Sequence, residues 1–67
     1  MSTPNNYDNQ IDAVIAAQHA ARTNGYGYAF AVEWRDHWSV ETRKPLLRDP
    51  AHKVLECREG DGQVYLA

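Results

Sequence analysis

The chain has 67 residues and a single cysteine, so it is long enough for one small domain and cannot close an intrachain disulfide. Seven basic and nine acidic residues give a formal net charge of −2, far from the basic balance of most nucleic-acid-binding domains. No apolar run approaches the length of a membrane-spanning helix, and residues 1–6 lack the features of a signal peptide. These properties predict one cytoplasmic domain over residues 1–67 with a flexible segment at 1–6. They disfavour nucleic-acid and membrane partners.

Residues 7–23 predict a helix, because good helix formers dominate and neither glycine nor proline interrupts them. Asn6 or Asp8 is the expected N-cap, and Asn24-Gly25 is the expected end. Helical spacing groups one stripe that we expect to face the core: Ile11, Val14, Ile15, Gln18 and Arg22. The roughly opposite side carries only alanines, Ala13, Ala16, Ala17, Ala20 and Ala21. This smooth face is expected either to be exposed or to pack closely against a partner.

Residues 26–34 alternate large apolar side chains with small or polar ones, which indicates a strand. The following residues alternate again, which indicates the second strand of a hairpin. Because directly opposed residues share a face, a two-residue loop would place Trp34 opposite His37. A three-residue loop over residues 35–37 would instead place Trp34 opposite Trp38. We expect the three-residue loop, since it aligns the large apolar residues of both strands on one face.

The connection that begins at Pro45 is predicted to be rich in turns. The residues that follow fit two structures. A proline near the start and Gly60 at the end are typical of a short helix near 50–59, whereas the turn-forming run Glu59–Gly62 indicates a β-hairpin. We favour the hairpin, because it places apolar residues opposite each other, Cys57 with Val64 and Leu55 with Leu66.

The predicted fold is therefore α+β, with an N-terminal helix packed on an antiparallel β-meander of three to four strands. The alternative is an αββαβ order with the second helix near 50–59. His52 and Cys57 are the obvious base and nucleophile, but their odd spacing places them on different sides of a strand or a helix. We expect Cys57 to be a buried structural residue, and we expect no catalytic residues, no metal site and no cofactor.

The aromatic residues carry the functional expectation. One helix cannot cover the whole aromatic face of the first hairpin, so part of it should be exposed. Exposed tyrosine, tryptophan and arginine are typical of protein interfaces. The predicted protein-binding residues are Tyr26, Tyr28, Trp34, Arg35 and Trp38.

These residues predict a non-enzymatic protein-binding module, such as a stoichiometric inhibitor or an adaptor, with a protein partner of unknown identity. The small size is typical of phage and mobile-element proteins, some of which inhibit host machinery. A homodimer is also expected, because a chain this short gains stability by burying a second surface. The alternatives are a weak single-stranded nucleic-acid binder that stacks bases on the same aromatic residues, and an accessory subunit of an enzyme.

Overall fold

A computed structural model describes residues 6–43 and 53–67. They form one helix and four strands: α1 (Gln10–Thr23), β1 (Tyr28–Glu33), β2 (Trp38–Glu41), β3 (Lys53–Arg58) and β4 (Val64–Leu66). The strands make one antiparallel sheet in the order β2-β1-β3-β4, and α1 packs on one face of it. The predicted α+β architecture is confirmed, with β3 paired to β1 where a continuous meander would pair it to β2.

The segment after Pro45 lies mostly outside the described residues, which resume at Lys53. From there to Arg58 the chain is strand β3, so the alternative of a helix through these residues is wrong. Within the described ranges, α1 has neither the length nor the hydropathy needed to cross a membrane.

The helix begins at Gln10, later than predicted, because Asn9 provides the N-cap. The Asn9 side-chain oxygen accepts a hydrogen bond of 2.9 Å from the backbone N–H of Asp12, which satisfies one of the free amides of the first turn. The expectation that Asn6 or Asp8 caps the helix is therefore wrong.

The predicted end of the helix is confirmed. Gly25 has a φ of +84°, a left-handed conformation that glycine adopts without steric cost. Asn24 holds the chain after this turn through its side chain, which accepts from the Tyr26 backbone N–H at 2.8 Å and donates to the Tyr28 carbonyl at 2.9 Å. The C-terminal end of α1 is thus tied to the start of β1.

Alanine residues form the contact between the helix and the sheet. Ala13, Ala17 and Ala21 of α1 are fully buried, as are Ala29 and Ala31 of β1. Small side chains on both sides let the helix approach β1 closely. The flanking strands supply larger side chains around this contact, namely Trp38, Leu55 and Cys57.

The predicted orientation of the helix is wrong. Ile11 and Ile15, which were expected to face the core, are 72% and 60% exposed. The alanine face is covered by the sheet of the same chain, so it is not available to a partner. Ile11 and Ile15 therefore point away from the core that the chain builds, whereas Val14 of the same stripe is partly buried against it.

The register of the β1–β2 hairpin also differs from the prediction. Val32 lies opposite Ser39, and Glu33 lies opposite Trp38, while the Trp34 backbone N–H donates to the His37 carbonyl at 2.8 Å. The loop thus has two residues, and Trp34 and Trp38 lie on opposite faces of the sheet. The physical reason is that α1 covers the small-residue face of β1, so Trp38 must point to that side to fill the space beside the alanines.

The predicted β3–β4 hairpin is confirmed in its register. Leu55 lies opposite Leu66 and Cys57 lies opposite Val64, on the face that α1 covers in part. The positive φ of Gly60, +73°, supplies the turn. Turn chemistry and apolar pattern agree in this segment, and the structure follows both.

Tyr7, three residues before α1, forms a β-bridge to the edge of the sheet. Tyr7 and Trp38 exchange two backbone hydrogen bonds, each of 2.8 Å. This bridge lies on the outer side of β2 and ties the segment before α1 to the edge of the sheet.

Candidate functional site

The face of the sheet turned away from α1 carries the aromatic residues of the first strand. The ring centroids of Tyr26 and Tyr28 are 6.1 Å apart, and those of Tyr28 and Phe30 are 5.6 Å apart. Phe30 is buried, Tyr28 is 38% exposed and Tyr26 is 65% exposed. The accessible part of this aromatic row is therefore the end at which β1 begins.

Two residues of the second hairpin complete this accessible end. Arg58 lies opposite Tyr28 and Tyr65 lies opposite Glu56, so all of them share one face of the sheet. The guanidinium carbon of Arg58 lies 4.3 Å from the centroid of the Tyr65 ring, within the range of a cation–π contact. We call Tyr26, Tyr28, Arg58 and Tyr65 the tyrosine–arginine patch.

Acidic residues hold Arg58 and Tyr65 in place. The Arg58 Nε donates to the Glu56 carboxylate at 2.9 Å, and this bond raises the pKa of Arg58. The Tyr65 hydroxyl donates to the Asp61 carboxylate at 2.7 Å, which raises the pKa of Tyr65 and lowers that of Asp61. At neutral pH the patch thus presents a charged guanidinium and a neutral phenol in fixed positions.

The other two tyrosines keep their polar groups available. Within residues 6–43 and 53–67, the hydroxyls of Tyr26 and Tyr28 make no hydrogen bond to the protein. A groove of about 400 Å³ adjoins Tyr28 and reaches toward the end of β2, lined by Tyr28, Phe30, Thr42, Arg43 and Glu56. The patch therefore combines exposed rings, free phenol hydroxyls and an adjacent concave surface.

The opposite end of β1 has a different character. The Trp34 ring stacks on His37, with centroids 6.4 Å apart, and its indole N–H donates to the Ser39 hydroxyl at 2.7 Å. His37 also contacts the Asp36 carboxylate at 2.7 Å, which lowers the pKa of Asp36. The Trp34 side chain is thus engaged within its own hairpin.

The structure separates the predicted binding residues into three places. Tyr26 and Tyr28 lie together in the patch, whereas Trp34 and the exposed Arg35 lie at the other end of β1, about 20 Å away at the usual rise per strand residue. Trp38 is 7% exposed, on the side of the sheet that faces α1. Trp38 therefore forms no part of an exposed surface, and the five residues do not lie on one continuous surface.

Sequence reasoning missed Arg58 and Tyr65. The predicted register of the second hairpin already placed Tyr65 opposite Glu56, away from the core face. What it lacked was the sheet order, because only the pairing of β3 with β1 brings Arg58 beside Tyr28.

Residues suited to catalysis are not brought together in the described part of the chain. Cys57 is fully buried, and desolvation, with a smaller contribution from the Glu56 charge, raises the pKa of its thiol; the thiolate that a nucleophile requires is therefore disfavoured. His52 lies outside the described residues. Among residues 6–43 and 53–67, no group of three or more potential ligands is placed to hold a metal ion.

The tyrosine–arginine patch offers aromatic rings, phenol hydroxyls and a positioned cation, which are groups common in protein interfaces. No protein-family model, curated protein or solved structure matches the chain. The functional argument consequently depends on the residues of the patch and on their geometry.

Proposed function

We propose that this protein is a non-enzymatic binding module of the cytoplasm, an inhibitor or adaptor, that contacts a protein partner through the tyrosine–arginine patch. The observation that supports this function is the clustering of Tyr26, Tyr28 and Tyr65 beside Arg58 on one face of the sheet. Tyrosine and arginine are among the residue types that contribute most binding energy in protein interfaces. A tyrosine side chain has few torsions to immobilise on binding. The hydroxyls of Tyr26 and Tyr28 are also free to form hydrogen bonds with the partner.

The charges around the patch favour a protein partner over a nucleic acid. Binding to a phosphate backbone requires cations that are free to replace counterions. Arg58 is already bonded to Glu56, and the carboxylate of Asp61 lies beside Tyr65. With a net charge of −2 for the whole chain, the patch would repel a polyanion more than it attracts one.

The direct test is affinity capture from the host, followed by titration of the purified partner against variants. The double substitution Tyr26→Ala and Tyr28→Ala should weaken binding by about 2 kcal/mol or more, roughly thirtyfold in Kd. Because Tyr28 packs edge-on against the buried Phe30, its loss should lower the melting temperature by several degrees, so Kd is compared at a temperature at which circular dichroism shows both proteins to be folded. Calorimetry of the complex measures the change in Kd.

Arg35→Ala is the matched control, because Arg35 is exposed at the other end of the same strand. It should leave Kd unchanged. A loss of binding with Arg35→Ala but not with the tyrosine variant would move the interface to the Trp34 end and overturn the proposal.

A nucleic-acid partner would give a different result in the same capture experiment. If the captured material were single-stranded nucleic acid, nuclease treatment would remove it, and binding of a labelled oligonucleotide would weaken steeply and linearly on a log–log plot against salt. We expect nuclease-resistant capture and a shallow dependence on salt.

A further inference from the structure

Helix α1 exposes its largest apolar side chains. Ile11 and Ile15 are 72% and 60% exposed, although the core uses alanine on the opposite side of the same helix. Isoleucine forms helices less readily than alanine, leucine or lysine, so neither helix formation nor the core of the chain accounts for isoleucine at these positions. Their placement indicates a contact with another molecule.

The spacing of the exposed residues is that of a two-helix seam. Ile11, Ile15, Gln18 and Arg22 follow each other at intervals of four, three and four residues, the alternation that keeps one line of side chains facing a partner helix. Asp8, just before the helix, continues the series by one step of three. We call the four residues Ile11, Ile15, Gln18 and Arg22 the helix seam.

We propose that a second copy of this chain packs on the helix seam, with the two α1 helices antiparallel around a twofold axis. Such a contact is self-complementary. It allows the two Ile15 side chains to pack against each other at the axis with Ile11 of each helix beside them, a register that sets Arg22 of one helix level with Asp8 of the other.

The distribution of charge selects the antiparallel arrangement. Asp8 and Asp12 lie at the N-terminal end of α1 and Arg22 lies in its last turn. Antiparallel packing brings Arg22 of one helix toward the aspartates of the other, and it also opposes the two helix dipoles. Parallel packing would place Arg22 beside Arg22 and the aspartates beside each other.

The extent of the seam sets the strength of the dimer. A helix of 14 residues is about 21 Å long, and one face of it is smaller than the roughly 800 Å² that each partner buries in a standard interface. The dimer is therefore weak and forms at high concentration. It leaves the tyrosines of the patch free on the face turned away from α1, whereas Arg58 lines a cavity of about 300 Å³ together with Gln18 and Arg22 of the seam.

Sedimentation equilibrium over a wide concentration series tests this contact. The average mass should rise from 7.6 kDa toward twice that value as concentration increases. The double variant Ile11→Ser and Ile15→Ser should remain at the monomer mass throughout, with the helical circular dichroism of the wild type. Wild-type protein that stays monomeric across the series would overturn the proposal.

Leu66→Ser is the control, because Leu66 is 76% exposed but lies on the edge strand β4. It should dimerise like the wild type. A dimer that survives the isoleucine substitutions but is lost with Leu66→Ser would show that copies pair through β4, and would also overturn the proposal.

Charge reversal tests the orientation. Arg22→Asp should raise the dimer dissociation constant roughly tenfold or more, because like charges then replace opposite ones. The double variant Asp8→Lys and Asp12→Lys, mixed with Arg22→Asp, should restore dimers. This result would also show that both variants are folded. An unchanged dissociation constant for Arg22→Asp would contradict antiparallel packing.

Discussion

Single alanines set the distance between helix and sheet in this protein. Ala17 is fully buried in α1, and Ala29 and Ala31 are fully buried in the strand it covers. With no atom beyond Cβ on either side, the two backbones approach more closely than they would with larger residues between them. The close packing of protein interiors makes such a contact sensitive to any added volume.

Ala17→Leu should therefore destabilise the fold by about 1–3 kcal/mol, through overpacking. Ile15→Ala, two positions away on the exposed side, should change the free energy of unfolding by no more than about 0.5 kcal/mol in the monomer. Urea unfolding of both variants at low protein concentration measures the difference. The opposite ranking would mean that the isoleucine stripe faces the core.

At the scale of elements, both hairpins could be predicted, but only the second one in its register. In β3 and β4 the turn residues and the apolar alternation specify the same register, so Cys57 and Leu55 face their predicted partners. In β1 and β2 the apolar pattern misleads, because the larger side chains of β1 lie on the face without the helix. The wrong orientation of α1 has the same cause: apolar volume identifies the core face only when both sides of the contact use large residues.

The proposed binding surface could likewise be predicted only in part. The exposure of Tyr26 and Tyr28 could be expected from one crowded strand face. The contribution of Arg58 depends on which strand lies beside β1, and a sequence with two separate hairpins does not determine that order. Long-range strand order depends on packing of the complete sheet, which local patterns do not encode.

The register of the first hairpin leads to a prediction about Trp34 and Ser39. The Ser39 hydroxyl is buried, accepts from the Trp34 indole N–H and donates to the Glu41 carboxylate at 2.9 Å. A double-mutant cycle with Trp34→Phe and Ser39→Ala should give a coupling energy of about 1 kcal/mol, because Ser39→Ala alone leaves the indole without its acceptor. Additive effects in urea unfolding would contradict this register.

At the scale of the whole molecule, Cys57 reports on global unfolding. Its side chain projects from β3 into the core beneath α1 and is fully buried, and β3 is paired on both sides. A thiol reagent can reach it only when these contacts open. Because burial raises the pKa of the folded thiol, its contribution to stability is full at neutral pH and declines as pH rises past the ordinary pKa of cysteine.

We expect labelling of Cys57 at neutral pH to be slowed roughly 10²- to 10⁴-fold relative to the unfolded chain, the protection that about 3–5 kcal/mol of stability provides. The labelling rate in increasing urea should rise with the same dependence as the global transition. Cys57→Ser is the unreactive control. Fast labelling that is insensitive to low urea would instead indicate that the β3–β4 hairpin opens separately.

The bridge between Tyr7 and Trp38 has a consequence for polymerisation. A fibre in which sheets of successive molecules pair edge to edge needs two free strand edges on every molecule, one for each neighbour. The backbone of Trp38 on the outer strand β2 is already hydrogen-bonded to Tyr7, which leaves the three-residue strand β4 as the more open edge. Edge contacts between copies would consequently involve β4 first, and pairing along the whole of β2 would require the bridge at Trp38 to break.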